Sequence, residues 1–300
     1  MEKLKQIVII GIMASFVLGV ALVACDNGNT HTHNYSVDWL SNDTQHWHEC
    51  SCGEKTDIAN HYWDWEVTIS ATQTADGREA RTCSICEKAE TRIIPQVPFT
   101  KVSDFNAWLA AQPINTNSTP FTVKLNVSDL GGDYNTSGSV ANALYTNDTK
   151  FVSIDLSGST IDSIVDYAFG YCTNLIDIII PESIISIGSN VFRSSGITKI
   201  NIPDNCISIG LGAFYSCTSL TKVTIGYNVA SVGYRAFNNC TKLTSVTFTG
   251  IISPSGFIED NGGAIYSPFV GDLQAKYLVG GIGVYTTIAP VDDSSLWMKQ

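Results

Sequence analysis

The sequence predicts an α/β chain organised around a short solenoid of 23-residue repeats with parallel strands. An α/β N-terminal cap and a C-terminal cap flank it, and a small His/Cys-stapled β module precedes it. Three observations carry this. Phe169, Phe192, Phe214 and Phe237 recur at spacings of 23, 22 and 23. After each comes one apolar pattern: Leu175/Ile178/Ile180, Ile197/Ile200/Ile202, Leu220/Val223/Ile225 and Leu243/Val246/Phe248. All five histidines, and four of the nine cysteines, fall instead between residues 26 and 93.

Residues 1–24 read as a secretion signal: Lys3 and Lys5 precede an apolar run from Ile7 to Val23 that closes on small residues. The run Leu22-Val23-Ala24-Cys25 resembles the lipobox of bacterial lipoproteins. That resemblance implies cleavage before Cys25, acylation of its sulfur and new amino group, and a tether over 25–30. A retained membrane helix is the alternative, since 17 apolar residues could just span a bilayer. Cleavage leaves 15 basic and 27 acidic side chains, a formal −12. So acidic a body excludes a nucleic-acid binder, which needs basic surface to displace counterions. The expected location is extracytoplasmic, lipid-anchored to the bacterial membrane at the cell surface, although Asp26 can act as an inner-membrane retention signal in some bacteria.

Residues 31–96 form the module. Its ligand-capable side chains come as His31-x-His33, His46-x-His48-x-Cys50-x-Cys52-Gly53, a lone His61, and Cys83-x-x-Cys86. Paired ligands a residue or two apart make knuckles, and two knuckles close a tetrahedral zinc site. The segment resembles the zinc-ribbon-like repeats of many bacterial surface proteins, in which HWHxCxCG is followed by an AH or NH and then a CxxCG. Here Asn60-His61 follows the pattern, but Glu87 stands where the last glycine belongs, which puts that knuckle's turn in question. His33, His46, His48, Cys50, Cys52, His61, Cys83 and Cys86 are the candidate ligands of structural zinc. Two disulfides, unrelated surface histidines, and labile metal handling or catalysis are the alternatives. A catalytic zinc would need an open position and a general base, and no H-E-x-x-H helix is present.

Residues 97–150 are the N-terminal cap. VSDFNAWLAAQP suggests a helix with Ser103 as N-cap and Pro113 as stop. PFTVKLNV alternates as a strand, and SGSVANALYT reads as a second helix.

Over 151–248 a period in the twenties with one short strand per unit means a leucine-rich-repeat solenoid, in which each unit covers the next one's apolar edge. Phe151/Ile154/Leu156 starts the strand series. The words IGxxAFxxC and LxxIxIP resemble the BspA-like, treponemal class of leucine-rich repeats. Membership of that class implies a surface protein that binds host extracellular-matrix or bacterial surface proteins. The second full unit is one residue short and lacks its cysteine, at Ser195-Gly196, so an irregularity is expected there. Cys172, Cys217 and Cys240 share one slot and should be buried thiols, with a Cys217–Cys240 disulfide as the alternative; Cys206 replaces the core residues Ile161, Ile184 and Val229. With the apolar pattern inward, three outward rows follow. They are Ser153, Asp177, Lys199, Lys222, Ser245; Asp155, Ile179, Asn201, Thr224, Thr247; and Val152, Ile176, Thr198, Thr221, Thr244. Candidate partner-binding residues are Asp177, Ile179, Lys199, Asn201, Lys222, Thr224, Ser245 and Thr247, with Asp177 and Lys199 expected to pair across strands.

Residues 249–300 are the C-terminal cap, with a helix over about 268–278 and a final hairpin ending on Trp297. No P-loop or G-x-S-x-G elbow occurs, and Gly280-Gly281-Ile282-Gly283 lacks a following phosphate-binding helix. The expectation is an adhesive or recognition protein without catalytic residues or a catalytic cofactor, with extracytoplasmic zinc binding or buffering as the second reading.

Overall fold

The structure is a computed structural model that describes residues 33–257 and 267–300. The signal segment, Cys25 and His31 lie outside the described residues. The chain divides into two compact units, 1–68 with 79–92, and 69–78 with 93–300.

The first unit is built on β1 (Leu40–Ser41), β2 (Gln45–Glu49) and β3 (Lys55–Asn60), joined antiparallel in that order. A second sheet holds β4 (Glu66–Ile69), β5 (Gly77–Thr82) and β6 (Ala89–Ile94). Its tryptophans carry cations on their faces: Lys55 lies 3.8 Å from the Trp47 ring centre and Arg81 lies 4.1 Å from that of Trp63. Among the described residues of this unit, only His33, His46, Cys50 and Cys83 are buried. Its interior consists of ligand-capable side chains rather than aliphatic ones, while Val37, Ile58, Tyr62, Val67 and Ile85 are exposed.

The second unit begins with α1 (Val102–Ala111), β7 (Phe121–Lys124) and α2 (Val140–Thr146). Helix α1 starts ahead of the expected Ser103: Lys101 occupies the N-cap without a side-chain bond. Val102 packs against the core and draws the first turn forward. In α2 the cap is orthodox, with the Ser139 hydroxyl accepting from the Asn142 amide at 2.9 Å.

The repeats supply two rows of parallel strands. The longer row is β8 (Val152–Asp155), β10 (Leu175–Ile179), β12 (Lys199–Asn201), β14 (Lys222–Ile225) and β16 (Ser245–Phe248). The shorter is β9 (Ser163–Ile164), β11 (Ser186–Ile187), β13 (Ser208–Ile209) and β15 (Ser231–Val232), a continuous four-stranded sheet. Strand β7 joins the longer row in parallel beside β8, so the cap extends the solenoid in register. The longer row is split into β10-β8-β7 and β12-β14-β16, at the short unit where the sequence predicts an irregularity. There the Gly196 amide donates to Cys172, and a Cβ at Gly196 would strike the Thr173 carbonyl, so only glycine lets this turn pass.

The first strand departs from the expected register. Val152, placed on an outward row by the pattern, is fully buried and pairs with Leu175, while Phe151 is only half-buried. The physical reason is a bulge: β10 carries the extra residue Ile176 between Leu175 and Asp177, which β8 lacks, so β8 alternates strictly through Val152, Ile154 and Leu156.

Behind the strands the four phenylalanines form a ladder of nearly parallel rings, with centres 5.4, 5.2 and 4.8 Å apart. Phe269 from the C-terminal cap adds a fifth rung at 5.1 Å. The backbone continues the repeat too: Phe237 donates to Pro268 as Phe214 donates to Ala236. The cysteine slot packs beside this ladder. Cys172, Cys206, Cys217 and Cys240 are free and fully buried, as the buried-thiol reading has it. The Cys217 and Cys240 thiols donate to the Phe192 and Phe214 carbonyls at 2.8 and 3.1 Å. Burial pushes Cys172 up to about 12 and Cys206 up to about 11.

Each repeat turns through two left-handed backbone positions. One is Tyr167, Asn190, Gly212 and Arg235; the other is Tyr171, Ser194, Ser216 and Asn239, all with φ between 54° and 61°. The cap then closes the stack. Helix α3 (Leu273–Gly280) packs Tyr277 onto Phe248 at 4.1 Å, and β17 (Gly283–Thr286) pairs antiparallel with β16, followed by β18 (Met298–Lys299). Trp297 is buried and donates its indole N–H to Val270.

Candidate functional site

In the first unit the ligand candidates gather into two groups. His46, His61, Cys83 and Cys86 place their ligand atoms within 4.8 Å of one another, and His33, Cys50 and Cys52 do the same.

The first group has the dimensions of a closed tetrahedral site. Zn–S near 2.3 Å and Zn–N near 2.0 Å imply ligand-to-ligand edges of about 3.3–3.8 Å. Cys86 Sγ lies 3.4 Å from His61 Nδ1, and Cys83 Sγ lies 3.8 Å from His46 Nδ1. The donors come from β2, the segment after β3, and the turn between β5 and β6. His61 is oriented by its other nitrogen: Nε2 is 2.8 Å from the Asn42 carbonyl, which makes Nε2 the donor and leaves the Nδ1 lone pair facing the sulfurs. Its ring also stacks on Trp63 at 4.4 Å. Desolvation opposes ionisation of Cys83, but the backbone of Cys86 and Ile85 and the His61 ring outweigh it and draw the thiol down to about 5. Cys86 is pushed up, by desolvation and by the charge on Cys83.

The doubtful turn after Cys86 forms without glycine. Glu87 takes the left-handed conformation, at φ 58°, and its amide donates to Cys83 at 3.0 Å. Gly53 holds a comparable position after Cys52, at φ 87°.

In the second group His33 Nδ1 lies 3.2 Å from Cys50 Sγ and 3.1 Å from Cys52 Sγ. The two sulfurs are joined as a disulfide. His48 belongs to neither group. An irregularity separates its pairing from that of His46 on β2. Its ring lies 3.9 Å from Trp39, which also packs on His46 at 4.7 Å, and its Nδ1 faces the Asp38 carbonyl at 3.3 Å. Trp39 and Asn42 thus position the histidines, a role that no spacing rule in the sequence signals.

On the second unit, the strands bring the partner-binding candidates together in two rows. Lys199, Lys222 and Ser245 are in register across β12, β14 and β16, and so are Asn201, Thr224 and Thr247. The Asp177–Lys199 pair forms, Oδ2 to Nζ 3.1 Å. Where the sheet splits between β10 and β12, a groove of about 360 Å³ opens, lined by Asp177, Ile179, Lys199, Asn201, Lys222 and Thr224. Ile179 stands 54% exposed at its edge.

Residues 138–257 match, in six copies, the family described as BspA type leucine rich repeat region. The fold is a leucine-rich-repeat solenoid with small caps. No curated protein sequence matches the chain. Among solved structures, a leucine-rich repeat protein of T. pallidum is similar at 28% identity over 42% of this chain and 58% of its own, with a TM-score of 0.33. One from Bacteroides ovatus is similar at 22% identity over 43% of this chain and 38% of its own, TM-score 0.34. A leucine rich cell surface protein from Faecalibacterium prausnitzii is similar at 16% identity over 71% of each chain, TM-score 0.27. The chain therefore spans less than two thirds of the first two proteins.

Proposed function

We propose that this is a lipid-anchored extracytoplasmic surface protein that recognises protein partners, host matrix or bacterial surface proteins, through the strand face of its repeats. It has no chemistry of its own, and structural zinc on His46, His61, Cys83 and Cys86 holds its first unit together. The observation that carries the recognition reading is the groove at the split sheet. It places an exposed isoleucine in one groove with an ion pair and a second lysine, the mixture of apolar anchor and polar rim that protein interfaces use. Six of the eight candidate residues on that face line it. A face of five strands, about 24 Å wide at the usual strand spacing, suits modest affinity that many anchored copies would raise by avidity.

The test is saturable binding of the full chain, in detergent, to immobilised matrix proteins. A twin protein with Asp177, Lys199 and Lys222 changed to alanine would run alongside. Binding that the twin loses supports the reading and locates its face. Binding to no matrix protein would sink the host-adhesin form.

A second reading, metal capture or buffering, draws on the His33, Cys50 and Cys52 group, which offers a further set of ligand atoms once the Cys50–Cys52 disulfide is reduced. Competition against a chromophoric zinc chelator separates the two. Zinc that exchanges readily favours buffering, and zinc retained in fixed stoichiometry favours a staple.

A further inference from the structure

The first repeat uses tyrosine at both of its left-handed positions. Tyr167 and Tyr171 sit at φ 58° and 61°, where later repeats place Asn190, Gly212 or Arg235 and Ser194, Ser216 or Asn239. Left-handed backbone is unfavourable for a residue with a bulky side chain, and it persists where the surroundings or a function require it. Both rings pack on Tyr134 from the N-terminal cap, at 6.4 and 5.1 Å, and Tyr134 also meets Tyr145 at 5.4 Å. Tyr145 and Tyr171 remain 51% and 36% exposed. Four phenol rings thus form one surface patch.

Elsewhere in the same unit tyrosine faces are covered by arginine. Arg193 lies over Tyr215 at 4.6 Å and Arg235 over Tyr234 at 5.0 Å. Arg193 and Tyr215 occupy the position one after the ladder phenylalanine, and in the first repeat that position is Gly170. A Cβ there would sit 3.3 Å from the Tyr167 ring, so the glycine leaves the ring face uncovered. Among the described residues, no Lys or Arg lies over the quartet. The surroundings are acidic: residues 126–176 hold six aspartates and one basic residue, Lys150. The Lys150 amine is turned onto the Leu109 and Ala110 carbonyls. Asp133 and Asp166 adjoin Tyr134 and Tyr167 in the chain, and Asp129 and Asp162 line a cavity of about 240 Å³ in the same stretch of sequence.

We infer that the Tyr134, Tyr145, Tyr167 and Tyr171 patch is a second docking surface, and that it takes an arginine-bearing, basic polypeptide segment. Guanidinium groups stack on the open phenol faces as Arg193 stacks on Tyr215, and the aspartates supply the charge that draws them in. Tyrosine and arginine are also the residues that most often anchor protein interfaces. The surface is separate from the split-sheet groove, so either can fail without the other.

The test is fluorescence anisotropy of labelled peptides with the full chain in detergent. The peptides are four repeats of Arg-Gly-Ser, of Lys-Gly-Ser and of Glu-Gly-Ser. The arginine peptide is expected to bind most tightly, the lysine peptide more weakly and the glutamate peptide not at all. Tyr171→Asn keeps a residue that accepts the left-handed backbone, as Asn239 does, and should weaken arginine-peptide binding roughly 10-fold. Gly170→Arg, which supplies an internal guanidinium, should weaken it similarly. The Asp177, Lys199 and Lys222 triple alanine variant should leave it unchanged, and thermal melts identify any variant that fails to fold. Equal binding of the arginine peptide to wild type and both patch variants would overturn the proposal, as would absence of binding. Binding of maltoheptaose in place of the arginine peptide, lost in Tyr171→Asn, would make the patch a sugar platform and overturn it too.

Discussion

The two units solve the same problem with opposite chemistry. In the solenoid, burial is aliphatic and aromatic, and each repeat's apolar edge is covered by its neighbour or by a cap. In the His/Cys unit the buried described residues are two histidines and two cysteines, and large apolar side chains lie outside. Sulfur occurs in both interiors with different consequences. Solenoid thiols donate to carbonyls, and burial pushes Cys172, Cys206 and Cys240 away from ionisation, whereas Cys83, beside histidine nitrogens, is drawn down to about 5. A thiol among hydrocarbons is a core residue; a thiol among imidazoles is a ligand. The contrast shows why a residue type alone does not reveal its role.

The comparison breaks most visibly when metal is removed. Chelation, or Cys83→Ser, is expected to unfold the first unit, because among its described residues the only other buried side chains are His33 and Cys50; structural zinc typically supplies about 10–16 kcal/mol of apparent binding energy to such modules. Proteolysis should then cut within 33–92 while the repeats resist. Resistance of both units after zinc has been shown to be gone would refute the metal staple.

Next in size is the ladder. Phe214→Ala removes a rung between two stacked rings and should cost about 3–5 kcal/mol in denaturant melts of the repeats, leaving the metal content unchanged.

The buried thiols give the solenoid an alkaline limit. Cys172 and Cys206 are raised by burial to about 12 and about 11, against about 8.5 in an unfolded chain. A raised value leaves stability intact below the unfolded pKa and erodes it as pH climbs towards the folded one. Between about pH 8.5 and 11 the repeats should lose up to about 1.4 kcal/mol per pH unit for each such thiol. Replacing both residues by alanine should lessen that slope, with Cys240, also raised by burial, supplying a remainder, and an unchanged slope would assign it to other groups.

The smallest effect is at Glu87. Its left-handed backbone costs about 1–2 kcal/mol that glycine would not incur, so Glu87→Gly should raise the thermal midpoint of the first unit without altering metal stoichiometry.

Much of this could be read from the residues. The phenylalanine period announces the ladder, L-x-x-I-x-I announces the strands, and the missing residue at Ser195-Gly196 announces the place where the sheet divides. Phe269 follows Phe237 by 32 residues, beyond the repeat period, so only its seat on the ladder identifies it. The apolar pattern puts Val152 outward because a pattern does not show which strand of a pair carries the extra residue. The H-x-H spacing pairs His48 with His46 as a knuckle, but the irregularity on β2 and the Trp39 ring packed against both keep His48 out of both groups. The tyrosine patch was signalled faintly, by two tyrosines at positions where the other repeats carry Asn, Gly, Arg or Ser.

What the sequence determined by itself is everything local and repeated: the period, the inward residues and the ligand types, since burial and coordination each demand particular side chains at particular intervals. What only the tertiary structure decided is which distant groups meet. Partition of the ligands into a tetrad and a triad, the fifth rung from the cap and the convergence of four tyrosines all join residues from separate segments. Their positions follow from how strands and turns stack, which spacing along the chain does not encode.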